Sequence, residues 1–197
     1  MPPSIEQYRR RVANVVIGPS TLRNQGASKV IPKARAFLAC VDLGRFVRDS
    51  EEEFLAELDR QTEALRASLP RKARHFGTAR KAINLFLGEV YYHRVLCQEY
   101  GLDKIAPFLE VPLDNLVARF LKKKAKGRGR SLPRWTTIKK LKPGKSRQYQ
   151  EFATDYAEAC GKGWLRVHLD LIIWRSVEEM ADTVYARQSR RRTPNAD

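Results

Sequence analysis

The chain has 197 residues, 43% of them apolar, with 38 Lys and Arg against 22 Asp and Glu, a formal net charge of +16 and a pI near 10.1. That apolar content excludes a disordered basic tail, and the length allows one domain, or two close lobes, around a real core. No stretch approaches the roughly 20 consecutive apolar residues of a membrane span, and Cys40, Cys97 and Cys160 are too far apart for metal ligation, so a cytoplasmic protein with reduced, buried thiols, no metal and no cofactor is expected.

In chain order, the start (Met1-Pro2-Pro3-Ser4-Ile5-Glu6) has no apolar segment behind a basic one, which argues against a secretion signal. Residues Glu6 to Val16 read as a helix ended by Gly18-Pro19, with a cap at Ser20-Thr21 and a break at Gly26. Apolar residues at helical spacing predict a helix from Pro32 to Phe46. Ser50-Glu51-Glu52-Glu53 starts another, carrying Phe54, Leu55, Leu58, Leu65 and Leu69 and stopping at Pro70. After Gly77-Thr78 a stripe of Ile83, Phe86, Leu87, Val90, Tyr91 and Val95 runs to Gly101. Leu113 to Leu121 gives a further helix, and Trp164 to Arg187 the last, with Leu165, Leu169, Ile172, Ile173, Val177 and Met180 inward. No convincing alternation and no repeat is present, so the fold class is all-α.

Charge is uneven. From Asn115 to Gln150 there is no acid, but there are thirteen cations, among them Arg119, Lys122, Lys123, Lys124, Arg128, Arg130, Lys139 and Lys140. A charge run is ordinarily a solvated face; one this long without an acid exceeds what solubility needs and suits a phosphate backbone. Its glycines and prolines predict a basic loop over 122–147. Arg187 and Arg190-Arg191-Arg192 predict a flexible basic tail over 188–197.

Two short segments carry the chemistry. His75-Phe76-Gly77-Thr78-Ala79-Arg80-Lys81-Ala82 reads as a glycine turn feeding a helix N-terminus, where backbone N–H groups at Gly77 and Thr78, with Arg80, suit an anion. Val111-Pro112-Leu113-Asp114-Asn115-Leu116-Val117-Ala118-Arg119 puts an acid at a helix start. Lys81 also fits a solvated first-turn residue, and Asp114 a plain N-cap. His75, His93 and His168 have no ligand or triad spacing, and there is no serine nucleophile elbow.

Taken together, the glycine turn, Lys81 opening its helix and the V-P-x-D-x-x-V-A-R segment resemble the helix-hairpin-helix DNA glycosylases. In the 33-residue separation of Lys81 and Asp114, with Tyr91-Tyr92 between, the chain is most similar to the archaeal 8-oxoguanine glycosylase branch. Thr21-Leu22-Arg23-Asn24-Gln25-Gly26-Ala27-Ser28 resembles the early L-x-x-Q-x-x-S segment of that superfamily. The hairpin departs from L-P-G-V-G-x-K-T-A: a glycine is missing and Lys81 lies one position later.

The resemblance implies a two-lobed bundle, with a hairpin lobe over about 50–120 and a second lobe from 1–49 and 150–187. It implies a monomeric, nucleoid-associated enzyme that everts a modified base from double-stranded DNA and cuts its N-glycosidic bond. Asp114 would stabilise positive charge on the sugar, and Lys81 would attack C1′ and form a Schiff base that permits strand cleavage. Asn24 and Gln25 would fill the gap or read the base edge, or else cap the preceding helix. His168, Asp170 and Trp174 would line the base pocket, or else pack as core. The base is open between an 8-oxoguanine-type lesion and a phage-type modified cytosine, since some glycosylases of this shape act in antiviral defence. A non-enzymatic basic helical nucleic-acid-binding protein is the other reading, and it needs neither Lys81 nor Asp114.

Overall fold

The computed structural model describes residues 3–22 and 24–174, and every regular element among them is helical. Arg23, Val177 and Met180 (expected to face inward), the end of the last expected helix and the basic tail lie outside the described residues.

Local chemistry sets most boundaries. Helix α1 (Ile5–Val16) opens on a capping box: Ser4 Oγ accepts from the Gln7 N–H at 3.3 Å, and Gln7 Oε1 accepts from the Ser4 N–H at 2.7 Å. After the single turn α2 (Pro19–Leu22) comes α3 (Val30–Cys40); the stretch expected to extend it to Phe46 is instead a separate 3₁₀ turn, Leu43–Phe46, started by Asp42. Helix α4 (Glu51–Ser68) is capped by Ser50, carries its three glutamates in the first turn, and stops before Pro70. Helix α5 (Phe76–Tyr92) does not run on to Gly101. It breaks at His93, whose Nδ1 accepts from the Leu96 N–H and starts α6 (Arg94–Tyr100), leaving Val95 exposed rather than in the stripe. Gly101, at φ +66°, ends α6 in the left-handed conformation that favours glycine.

The acid-free stretch is not the loop expected over 122–147. It contains helix α7 (Asn115–Gly127), a 3₁₀ turn at Ile138–Lys140, and the start of α8 (Pro143–Glu158), whose proline occupies the first turn, where its missing N–H costs nothing. Tyr149, Phe152, Ala153 and Ala157 form the buried face of α8. Trp164 and Leu165 precede the last helical segment, which begins with a 3₁₀ turn at Arg166–His168 and continues over 169–174.

Two apolar cores result, divided differently from the expected lobes. The first joins α1, α3, α4, α5 and α6, from Val12 to Leu109, so residues before 50 pack with the α4–α5 pair. The second gathers Val111 to Ile173 from α7, α8 and the last segment. They interlock: Phe76 at the head of α5 belongs to the second core, and Val167 to the first. A polar seam runs between them. Arg80 grips Glu110 with Nε (2.8 Å) and Nη2 (2.9 Å) and reaches Asp59 at 2.6 Å and Thr62 at 3.2 Å, while Asn84 donates to Glu110 at 2.8 Å. Arg166 binds the Leu109 and Phe108 carbonyls and Glu51, and the Gln150 amide pairs with both backbone groups of Val111.

Gly77 makes no turn. It sits in the first turn of α5, and a Cβ there would lie 2.2 Å from the Ile138 carbonyl oxygen and 2.8 Å from Leu141 Cβ. The glycine is required because the 138–141 segment crosses directly over the helix.

Candidate catalytic pocket and basic face

Lys81 and Asp114, 33 residues apart, meet. Lys81 lies in the second turn of α5, 9% exposed, with Nζ 3.1 Å from Asp114 Oδ2 and 3.5 Å from the Thr21 carbonyl oxygen. The other Asp114 oxygen accepts from the Leu116 (2.9 Å) and Val117 (3.0 Å) N–H groups at the start of α7. Asp114 is therefore both N-cap and ion-pair partner, one role per oxygen, and the cap fixes the direction in which the second oxygen points.

A cavity of about 150 Å³ opens onto this pair, lined by Ser20, Thr21, Lys81, Leu85, Pro112, Asp114, Asp170 and Trp174. Burial pushes the Asp170 carboxyl up to about 6 and the Asp114 charge adds to the rise, while Lys81 and the Trp174 indole N–H oppose it. Trp174 is half exposed, at 48%, and its ring forms one wall. The cavity thus combines a lysine, two carboxylates and an aromatic face, the ingredients for holding a planar group and moving protons beside it.

The Asp170 titration gives a testable result. Because the folded state holds this proton more tightly than the unfolded chain, stability should fall as pH rises from about 4 to about 6 and level off above. Asp170→Asn removes that slope and should add up to about 3 kcal/mol at pH 8, read from urea melts at pH 4, 6 and 8. A variant as pH-sensitive as the parent would refute the assignment.

The other expected site residues go elsewhere. His168 does not join Asp170: its Nδ1 accepts from the Leu165 N–H at 3.2 Å, and its ring lies 6.1 to 6.3 Å from Trp164, Tyr91 and Tyr92, beside a separate cavity. Burial lowers its pKa. Gln25 is 6% exposed and accepts from the Thr78 hydroxyl at 2.7 Å, tying its segment to the head of α5 instead of offering its carbonyl to a base. Asn24 is exposed, outside the Lys81 cavity, at φ +59°, a left-handed turn that its short polar side chain tolerates.

Gly77, Thr78 and Arg80 form no open anion site at the start of α5. Gly77 lies under Ile138 and Leu141, Thr78 is fully buried, and Arg80 is spent inside the seam. Burial alone would push the Glu110 carboxyl up, but the Arg80 charge and hydrogen bonds hold it below the usual carboxylate range. Arg80 therefore presents no free cation to Lys81 or to a phosphate.

The other cations expected to meet phosphate lie on the basic stretch. Arg119, Lys123, Lys124, Lys126, Arg128, Arg130, Lys139 and Lys140 are exposed and Lys122 half-buried. Arg130 pairs with Asp155, while Lys124 and Arg128 lie over the Tyr156 ring at 5.7 and 4.7 Å. Lys139 Nζ lies beside Gly26. Among the described residues no ion pair engages Arg119, Lys122, Lys123, Lys126, Lys139 or Lys140. Cys40 and Cys160 are exposed and only Cys97 is buried, so the expectation of three buried thiols fails. No described helix is long and apolar enough to cross a membrane, and no described His, Cys, Asp and Glu cluster is arranged to hold a metal ion.

Comparison with protein-family models, curated proteins and solved structures finds no match to this chain.

Proposed function

We propose that the protein is a DNA N-glycosylase that everts a modified base from duplex DNA and releases it at the Lys81–Asp114 pocket. The observation that carries this is the convergence of Lys81 Nζ and Asp114 Oδ2 at 3.1 Å in one cavity with Asp170 and Trp174. The sequence resemblance to helix-hairpin-helix glycosylases, which suggested Lys81 and Asp114, supports it independently of the geometry.

The chemistry follows from residue types. The C1′–N bond to the base breaks, and the base departs with the bonding electrons and a proton. The carboxylate of Asp114 opposes the positive charge that grows on the sugar. The Lys81 ammonium passes a proton by way of the adjacent Asp114 carboxylate to the departing base, which leaves Asp114 charged again, and the freed amine supplies the electron pair of a new C1′–Nζ bond. Sugar ring opening then gives a Schiff base, from which elimination cuts the strand. Trp174 offers a face to the everted base, and Asp170 a carboxyl near its edge. The exposed cations hold the backbone.

Borohydride reduction in the presence of substrate duplex tests it. Wild-type protein should give a covalent protein–DNA adduct, and Lys81→Gln none. Base release without an adduct would transfer the attack from Lys81 to water. The panel should include 8-oxoguanine, hydroxymethylcytosine and glucosylated cytosine; no release from any would leave a nucleic-acid-binding module in place of an enzyme.

A further inference from the structure

The geometry of α7 points to a lopsided grip on DNA, an inference that rests on the glycosylase reading. Asp114 caps the helix at the pocket, and the helix runs away from it to Gly127. At about 100° per residue, Arg119, Lys122, Lys123 and Lys126 fall within one arc about 100° wide. Val117, Ala118, Leu121 and Ala125, the buried residues of α7, occupy the other side. Exposed Asn115, next to Asp114, lies on the cationic arc, so the stripe starts at the pocket rather than at a distance from it.

An ordinary solvated helix face mixes both signs. This one carries no acid, no described ion pair engages its four cations, and Lys124 and Arg128 turn instead to the Tyr156 ring. Lys126 is 12 residues beyond Asp114, a run of about 18 Å along a helix axis, which matches about five base steps of duplex. We infer that α7 tracks the phosphates on one side of the everted nucleotide, and that the duplex on this side supplies most of the binding.

Binding of the full chain to duplexes carrying a tetrahydrofuran abasic analogue decides the point. Duplexes with long flanks are compared with those trimmed close to the analogue on its 5′ or on its 3′ side, over a salt series. One trim should cost most of the affinity and the other little. The triple variant Lys122→Gln, Lys123→Gln, Lys126→Gln should lower the slope of log affinity against log salt by about 3 on the long duplex. On the duplex trimmed on the sensitive side it should change almost nothing. Equal losses from both trims, or an equal effect of the variant on both trimmed duplexes, would overturn the inference. Failure of the glycosylase reading looks different: the analogue duplex would bind no better than unmodified duplex, and the inference would fall with it. Circular dichroism of the variant checks that α7 remains folded.

Discussion

Asp114→Asn should slow single-turnover base release by about 10²–10³-fold, the usual effect of removing one group that stabilises charge developing in a transition state. The substitution separates the two jobs of this residue. Asparagine caps a helix about as well as aspartate, so its side-chain oxygen keeps the bonds to the Leu116 and Val117 N–H groups, and the stability that is lost comes from the buried Lys81 left without its ion-pair partner. What disappears is the negative charge facing Lys81 and the reacting sugar. Asp114→Ala is the contrast: it should lose activity to the same degree and in addition about 1 kcal/mol of stability through the missing cap. If Asp114→Asn releases base at the parent rate, the residue is a cap and nothing more.

Arg80→Met should destabilise the protein by about 3–5 kcal/mol, because it strands the Glu110 carboxylate, 5% exposed, without its cation. In a domain of this size that lowers Tm by roughly 6–20 °C. Pairing it with Glu110→Leu should restore much of the loss, since an apolar pair of similar volume avoids desolvating two charges. The contribution of Glu110 also has a pH signature. Its folded pKa is depressed below the ordinary carboxylate value of 4.5, so its stabilisation is full above that value and is lost as pH falls through the lower, folded one. A phosphate-binding Arg80 would behave otherwise: its removal would reduce the salt dependence of DNA binding and leave stability nearly unchanged. Melts and a salt series on one variant distinguish the two roles.

The sequence made capped elements visible and hid contact-defined ones. Ser50 with three glutamates and Pro70 fix both ends of α4 through local chemistry. The break at His93 was not legible, because apolar spacing continues through Tyr91 and Val95 and the capping bond from Leu96 to the imidazole forms only after the chain has turned. Helix α8 was hidden by the cations around it; Pro143 reads as a loop residue until Tyr149, Phe152, Ala153 and Ala157 are seen to line up behind it. At the site, Lys81, Asp114, Asp170 and Trp174 were all named from the sequence, and one cavity collects them. His168 and Asp170 were both expected in the base pocket, but a helical turn sends residues two apart to different sides, here to different cavities. Gln25 and Arg80 were misread for one reason: a polar side chain near a site looks functional until its burial partner, far along the chain, is known.

The crossing of 138–141 over Gly77 has a consequence for how this sequence can drift. Position 77 admits no side chain while the Ile138 carbonyl lies over it, so the two must vary as a linked pair. A descendant with any other residue at 77 has to reroute the crossing segment, and with it Lys139 and Lys140. The lineage therefore cannot move the point at which its basic stretch is fastened to the Lys81 helix while the backbone keeps this path.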